Sequence, residues 1–112
     1  HRDYLKNYDK LNITVITYYE VLRGLKDIGS EKIIKKFEEF VDDNNILYLD
    51  RASVQNASTI HAKLKKEGTL ISDADILIAS IAITNQCTLV TNNIKHFERI
   101  KELNLENGLD PE

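Results

Sequence analysis

Ser72-Asp73-Ala74-Asp75-Ile76-Leu77-Ile78-Ala79-Ser80 is the stretch on which the reading of this chain turns. Two carboxylates open a segment that stays apolar at every helical angle through Ile83, which predicts a buried helix over residues 76–83. An isolated ionised group at an apolar site is costly, so a pair of acids beside a core element must be solvated, paired or bound to a cation. Downstream, Thr88-Leu89-Val90-Thr91 reads as a strand ending on Asn92-Asn93.

Working outward, residues 13–17 (Ile-Thr-Val-Ile-Thr) are β-branched throughout and predict a first strand. It runs directly into a helix over 18–28 with Val21, Leu25 and Ile28 on one face. Gly29-Ser30 ends that helix and caps the next, an amphipathic segment over 31–42 with Ile33, Ile34, Phe37, Phe40 and Val41 inward. A second strand follows at 46–49, and Asp50 caps a helix to about residue 67, closed by Gly68. Asn93 caps a last helix over 94–102, and 103–106 alternates as a final edge strand. Residues 1–10 carry Tyr4, Leu5 and Tyr8 at helical spacing and predict a short helix. Strands alternating with helices imply an α/β fold, a twisted parallel sheet flanked by helices, in a single domain over residues 1–112.

Composition narrows the function classes. With 112 residues, 42% hydrophobic and 29% charged, the chain can bury a sizeable core without staples. The net charge of −3 comes from interspersed acids and bases, with no basic stripe of the kind that marks duplex-DNA binders. A site in which metal ions supply the positive charge stays open. The single Cys87 precludes an internal disulfide and fits a reducing, cytoplasmic compartment. No apolar run is long enough to span a membrane, and no signal-peptide pattern is visible.

Connectivity alone places the polar residues. In an open parallel sheet, ligands bind beyond the carboxyl ends of the strands. Glu20 follows the first strand, and Asn92 and Asn93 follow the third. The helix from Ile76 leads into the third strand and runs antiparallel to it, so Asp73 and Asp75 at its start share that edge. Asp50 follows the second strand, further out. Gathered there, Glu20, Asp73, Asp75 and Asn93 would offer oxygen donors to a hard cation such as Mg²⁺, which orients phosphate esters and activates water. Each residue also has a plain structural reading. Thr17 to Glu20 matches a capping box, Ser72 to Asp75 resembles one with Asp in place of Glu, and Asn93 suits an N-cap. His61 sits among helix-face apolar residues, and His1 and His96 lack the spaced Cys or His partners of a zinc site. Arg23, Lys95 and Arg99 lie near the acidic edge and read as solvent-facing.

Three segments together carry a family resemblance: Ile13 through Gly24 around Glu20, Asp73-Ala74-Asp75-Ile76-Leu77-Ile78-Ala79, and Leu89-Val90-Thr91-Asn92-Asn93 continuing to Ile100. In this order and spacing the chain resembles the PIN-domain nucleases, most closely VapC-type toxins of prokaryotic toxin–antitoxin pairs. The resemblance implies cleavage of single-stranded RNA with Mg²⁺ or Mn²⁺, a cognate antitoxin covering the active site, and a homodimer. It also implies that Glu20 and Asp75 are metal-binding acids, that Asp73 is an auxiliary acid, and that Asn93 holds the position after the last core strand. The family opens with a central strand ending in Leu-Asp-Thr-Asn, whose Asp is a principal metal ligand. This chain has no such segment, and neither Asp3 nor Asp9 follows an apolar run. Upstream residues, a strand swapped from a second chain, or direct pairing of the strands at 13–17 and 88–91 are the expected solutions, because buried backbone groups do not stay unpaired. A non-catalytic PIN-like module that binds RNA or protein is the alternative function.

Overall fold

A computed structural model describes residues 10–91 and 94–107. The helix expected over residues 1–10, apart from Lys10, and the cap expected at Asn93 lie outside the described residues. The chain divides into two compact units, residues 1–48 and 49–112, and each is taken by itself.

The first unit contains β1 (Asn12–Thr14), α1 (Val15–Ile28), α2 (Glu31–Asp42) and β2 (Asn45–Leu47). The β-branched run predicted as one strand is split. Thr14 is extended, and its hydroxyl accepts the Thr17 N–H at 3.1 Å, so Thr14 rather than Thr17 is the N-cap. Satisfying a first-turn amide outweighs a β preference that depends on context, and residues 15–17 become helix. Gly29 closes α1 with φ +85° and donates its N–H to Leu25 O, a conformation glycine adopts without strain. Ser30 then caps α2 as expected. β1 and β2 pair in parallel with Asn12 opposite Asn45 and Thr14 opposite Leu47. Asn44 sets that register: its Oδ1 accepts the Leu11 N–H at 2.7 Å while its Nδ2 donates to Phe40 O.

The second unit contains α3 (Arg51–Glu67), α4 (Asp73–Thr84), β3 (Leu89–Thr91), α5 (Ile94–Phe97) and β4 (Leu105–Asn107). Asp50 and Gly68 delimit α3 as the sequence predicts. α3 and α4 pack along their lengths, joined by residues 68–72, with Asn56 donating to the Thr84 hydroxyl at 2.9 Å. Their shared core is Ala57, Ile60, Leu64, Ile71, Ile76, Ala79 and Ala82, completed by Phe97, Ile100 and Leu103. α4 is buried as predicted but begins three residues earlier, because Ser72 caps it and draws both acids into the first turn. Ser80 is fully buried within it and returns its hydroxyl to Ile76 O at 2.7 Å. The last helix is shorter than the predicted 94–102. It ends at Phe97, and turns follow in which the Ile100 and Leu103 amides donate to Phe97 O and Ile100 O. β4 pairs with β3 in parallel, Leu89 opposite Leu105, in place of the strand expected at 103–106. The expected parallel α/β pattern is therefore present, as a two-stranded ribbon in each unit among the described residues. Among the described residues, β1 takes β2 within the first unit and β3 takes β4 within the second. No helix among the described residues is long and apolar enough to cross a membrane.

Candidate functional site

Asp73 and Asp75 are the first and third residues of α4. Helix starts present unpaired N–H groups and a partial positive charge, which favours carboxylates there. Ser72 Oγ accepts the Asp75 N–H at 3.2 Å, one half of a capping box. The other half is absent: the Asp75 carboxylate does not return to the Ser72 amide but approaches a different element. Its Oδ2 lies 3.3 Å from Nδ1 of His96 on α5. The Asp75 side chain is 22% exposed and that of His96 46%. Asp73 is exposed and borders a shallow cleft between α3 and α4 with Val54, Ala57, His61 and Leu77.

The contact with His96 also fixes which end of β3 the start of α4 faces. α5 leaves the carboxyl end of β3, so an α5 side chain touching Asp75 puts the start of α4 at that end of the strand. A second tie reinforces it, as Arg99 Nη1 donates to Thr69 O at 3.2 Å in the connection before α4. Arg99 is thus a local brace, not simply a solvent-facing cation.

Glu20 lies in the second turn of α1 and is half-buried. With Thr14 as the cap, Glu20 is too far along the helix to close a capping box, which removes the structural reading for this acid. Tyr19 and Arg23, one turn apart, make a cation–π contact at 5.2 Å from guanidinium carbon to ring centroid. Tyr18 turns the other way, stacking on Phe37 at 5.8 Å and donating its hydroxyl to both oxygens of Glu38. That hydrogen bond to Glu38, then desolvation, raises the Tyr18 pKa above its ordinary value. The Asp50 carboxylate is occupied as a cap: its Oδ1 accepts both the N–H and the hydroxyl of Ser53, and these bonds lower its pKa. Asn93 lies outside the described residues.

Oxygen donors at Asp73 and Asp75 match the preference of Mg²⁺ and Mn²⁺ for carboxylates. Among the described residues, however, no three His, Cys, Asp or Glu side chains stand close enough to hold a metal as a group. Within the second unit the structure thus joins Asp73 and Asp75 in one helical turn and joins His96 to Asp75. Glu20 belongs to the first unit. His96 is the site residue that sequence spacing does not reveal, since it lacks the Cys or His partners of a zinc site; its place five residues beyond the end of a strand leading from the acidic helix is the available signal.

Comparison with known proteins gives a consistent result. The PIN domain family profile matches residues 1–103. Ribonuclease VapC1 of Methanocaldococcus jannaschii is 40% identical over 94 residues, spanning 84% of this chain and 67% of that protein. Ribonuclease VapC2 of Haemophilus influenzae is 34% identical over 103 residues, spanning 91% and 78%. Among solved structures, VapBC2 from Rickettsia felis bound to a DNA fragment from their promoter aligns with a TM-score of 0.82 at 31% identity, covering 94% of this chain and 80% of that one. With a family profile across nearly the whole chain and relatives at this identity, the chain belongs to the PIN-domain family and, within it, to the VapC type.

Proposed function

We propose that this protein is a metal-dependent endoribonuclease that cuts single-stranded RNA, acting as the toxin of a toxin–antitoxin pair in the cytoplasm. The observation that carries the reading is Asp75: a half-buried carboxylate at the start of a core helix, turned toward His96 instead of completing its cap, in a chain similar to VapC ribonucleases. Asp75 and Glu20 are the proposed metal ligands, with Asp73 as auxiliary acid and Asn93 beyond β3 contributing its amide. Mg²⁺ or Mn²⁺, when bound, offsets the negative charge of the phosphodiester and makes water a better nucleophile. The chain's own part is to hold the carboxylates at fixed positions. Ser72 anchors the Asp75 backbone, and burial of Ile76, Ala79 and Ile81 keeps α4 from shifting under the repulsion of neighbouring acids. A chain of net charge −3 has little general attraction for RNA, which suits a site whose positive charge arrives with the cation.

Solved relatives that are VapBC assemblies support a cognate antitoxin as the partner, proposed to lie over the acidic edge; a homodimeric toxin is proposed with it. The test is cleavage of a single-stranded RNA by protein expressed from the full reading frame. Cutting should require added Mg²⁺ or Mn²⁺, cease with chelator, and spare duplex RNA and DNA. Cleavage undiminished by chelator contradicts the proposal. The lack of a three-ligand group among the described residues favours one second reading, a PIN-like module that binds RNA or protein without catalysis. Calorimetric titration with Mg²⁺ separates the two, since a binding module need take up no metal.

A further inference from the structure

We propose that His96 is a positioning residue for Asp75, fixing one carboxylate oxygen so that the other is presented to the cation; this rests on the metal-dependent reading above. The geometry is local to the second unit. His96 Nδ1 lies 3.3 Å from Asp75 Oδ2. A carboxylate only accepts hydrogen bonds, so the contact requires the ring proton on Nδ1. Among the described residues Asp75 Oδ1 has no hydrogen-bond partner. The histidine is itself held on a rigid base. The next residue, Phe97, is 4% exposed and Ile100 is 3% exposed, both in the core cluster that also contains Ile76 of α4. Arg99 adds a second tie, from the turn after α5 to Thr69 O ahead of α4. The segment around α5 is thereby tied at two points to the start of α4 and the connection before it, and the imidazole is brought to Asp75 by buried packing rather than by a mobile loop.

Such an arrangement does what outer partners of metal-binding carboxylates do. It selects one rotamer and one oxygen, and loss of such a partner typically weakens metal affinity by about 10–100-fold. A lone first-turn aspartate would instead sample several rotamers, at an entropy cost each time the cation bound. His96→Ala removes the restraint. His96→Asn restores a side-chain N–H near the Nδ1 position and serves as the conservative rescue.

Two measurements on the full-length protein test this. Nitrogen NMR of the imidazole in metal-free protein should find the proton on Nδ1, and Asp75→Ala should shift the His96 signals. Mn²⁺ binding followed by electron paramagnetic resonance should weaken about tenfold or more in His96→Ala and recover most of that loss in His96→Asn, with thermal unfolding used to confirm that both variants fold. Wild-type Mn²⁺ affinity in His96→Ala overturns the inference alone, as does His96→Asn binding no better than His96→Ala. Failure of the wild-type protein to bind Mn²⁺ overturns the metal-dependent reading and the inference with it. A His96 proton on Nε2 alone overturns the pairing whatever the metal result.

Discussion

Tyr18 and Glu20, two positions apart on α1, illustrate how differently neighbouring side chains are used. Tyr18 is committed to structure, stacked on Phe37 and hydrogen-bonded to Glu38. Because its pKa is raised above 10.0 in the folded state, folding favours the protonated phenol. That contribution is complete below pH 10 and is lost as the pH rises through the folded-state value. Chemical denaturation at stepped alkaline pH should therefore show stability falling more steeply in wild type than in Tyr18→Phe, with the two curves converging at high pH. Glu20 has no such commitment. A cap residue costs about 1 kcal/mol on removal, whereas Glu20 stands beyond the capping positions, so Glu20→Gln should change metal-free stability by no more than about 0.5 kcal/mol. A loss near 1 kcal/mol in urea unfolding would assign the residue to structure. These two roles were not separable in the sequence. The β-branched run placed the cap at Thr17, where Glu20 completes a box, and only the Thr14 hydroxyl bond shows otherwise. His96 was hidden for a related reason: its partner is a carboxylate 21 residues away, a separation no local spacing rule detects.

At the scale of the element, termination was readable and initiation less so. Gly29 and Gly68 both adopt the left-handed conformation that their place after a periodic run predicts. Ser30 and Asp50 cap the helices they were expected to cap. The start of α1 falls three residues early, since a polar residue able to cap can stand ahead of several others that also could; α4 starts three residues before its apolar run, where the cap offered by Ser72 puts it. The α5 boundary was overestimated because Phe97 and Ile100 keep helical spacing while the backbone has already gone into turns. The α3–α4 pair bears most of the second unit's core, and Leu64, 1% exposed, lies at its centre. Leu64→Ala should cost about 2–5 kcal/mol by leaving a cavity between two helices that cannot close on it. Urea unfolding monitored by circular dichroism reads this directly. Since α4 also supports Asp73 and Asp75, the variant that still folds should bind Mn²⁺ more weakly although no ligand has been touched.

For the whole molecule, the alternation of strands and helices was enough to indicate a parallel α/β pattern, and three dispersed motifs were enough to indicate the family. Strand pairing was less accessible, because strands of three residues such as β1 and β3 contain too little pattern to specify partners. The sheet edge was legible where connectivity forces it: α4 leads into β3, and the His96 contact agrees. The claim on which the functional account stands is that the Asp75 carboxylate is a metal ligand of a ribonuclease. Its most direct test is the rate at which full-length Asp75→Asn cuts single-stranded RNA in saturating Mg²⁺. The substitution keeps the side chain's size and leaves the Ser72 bond to the backbone amide in place. The account predicts a rate reduced by about a hundredfold or more, with folding intact by circular dichroism. Cleavage at the wild-type rate would contradict it.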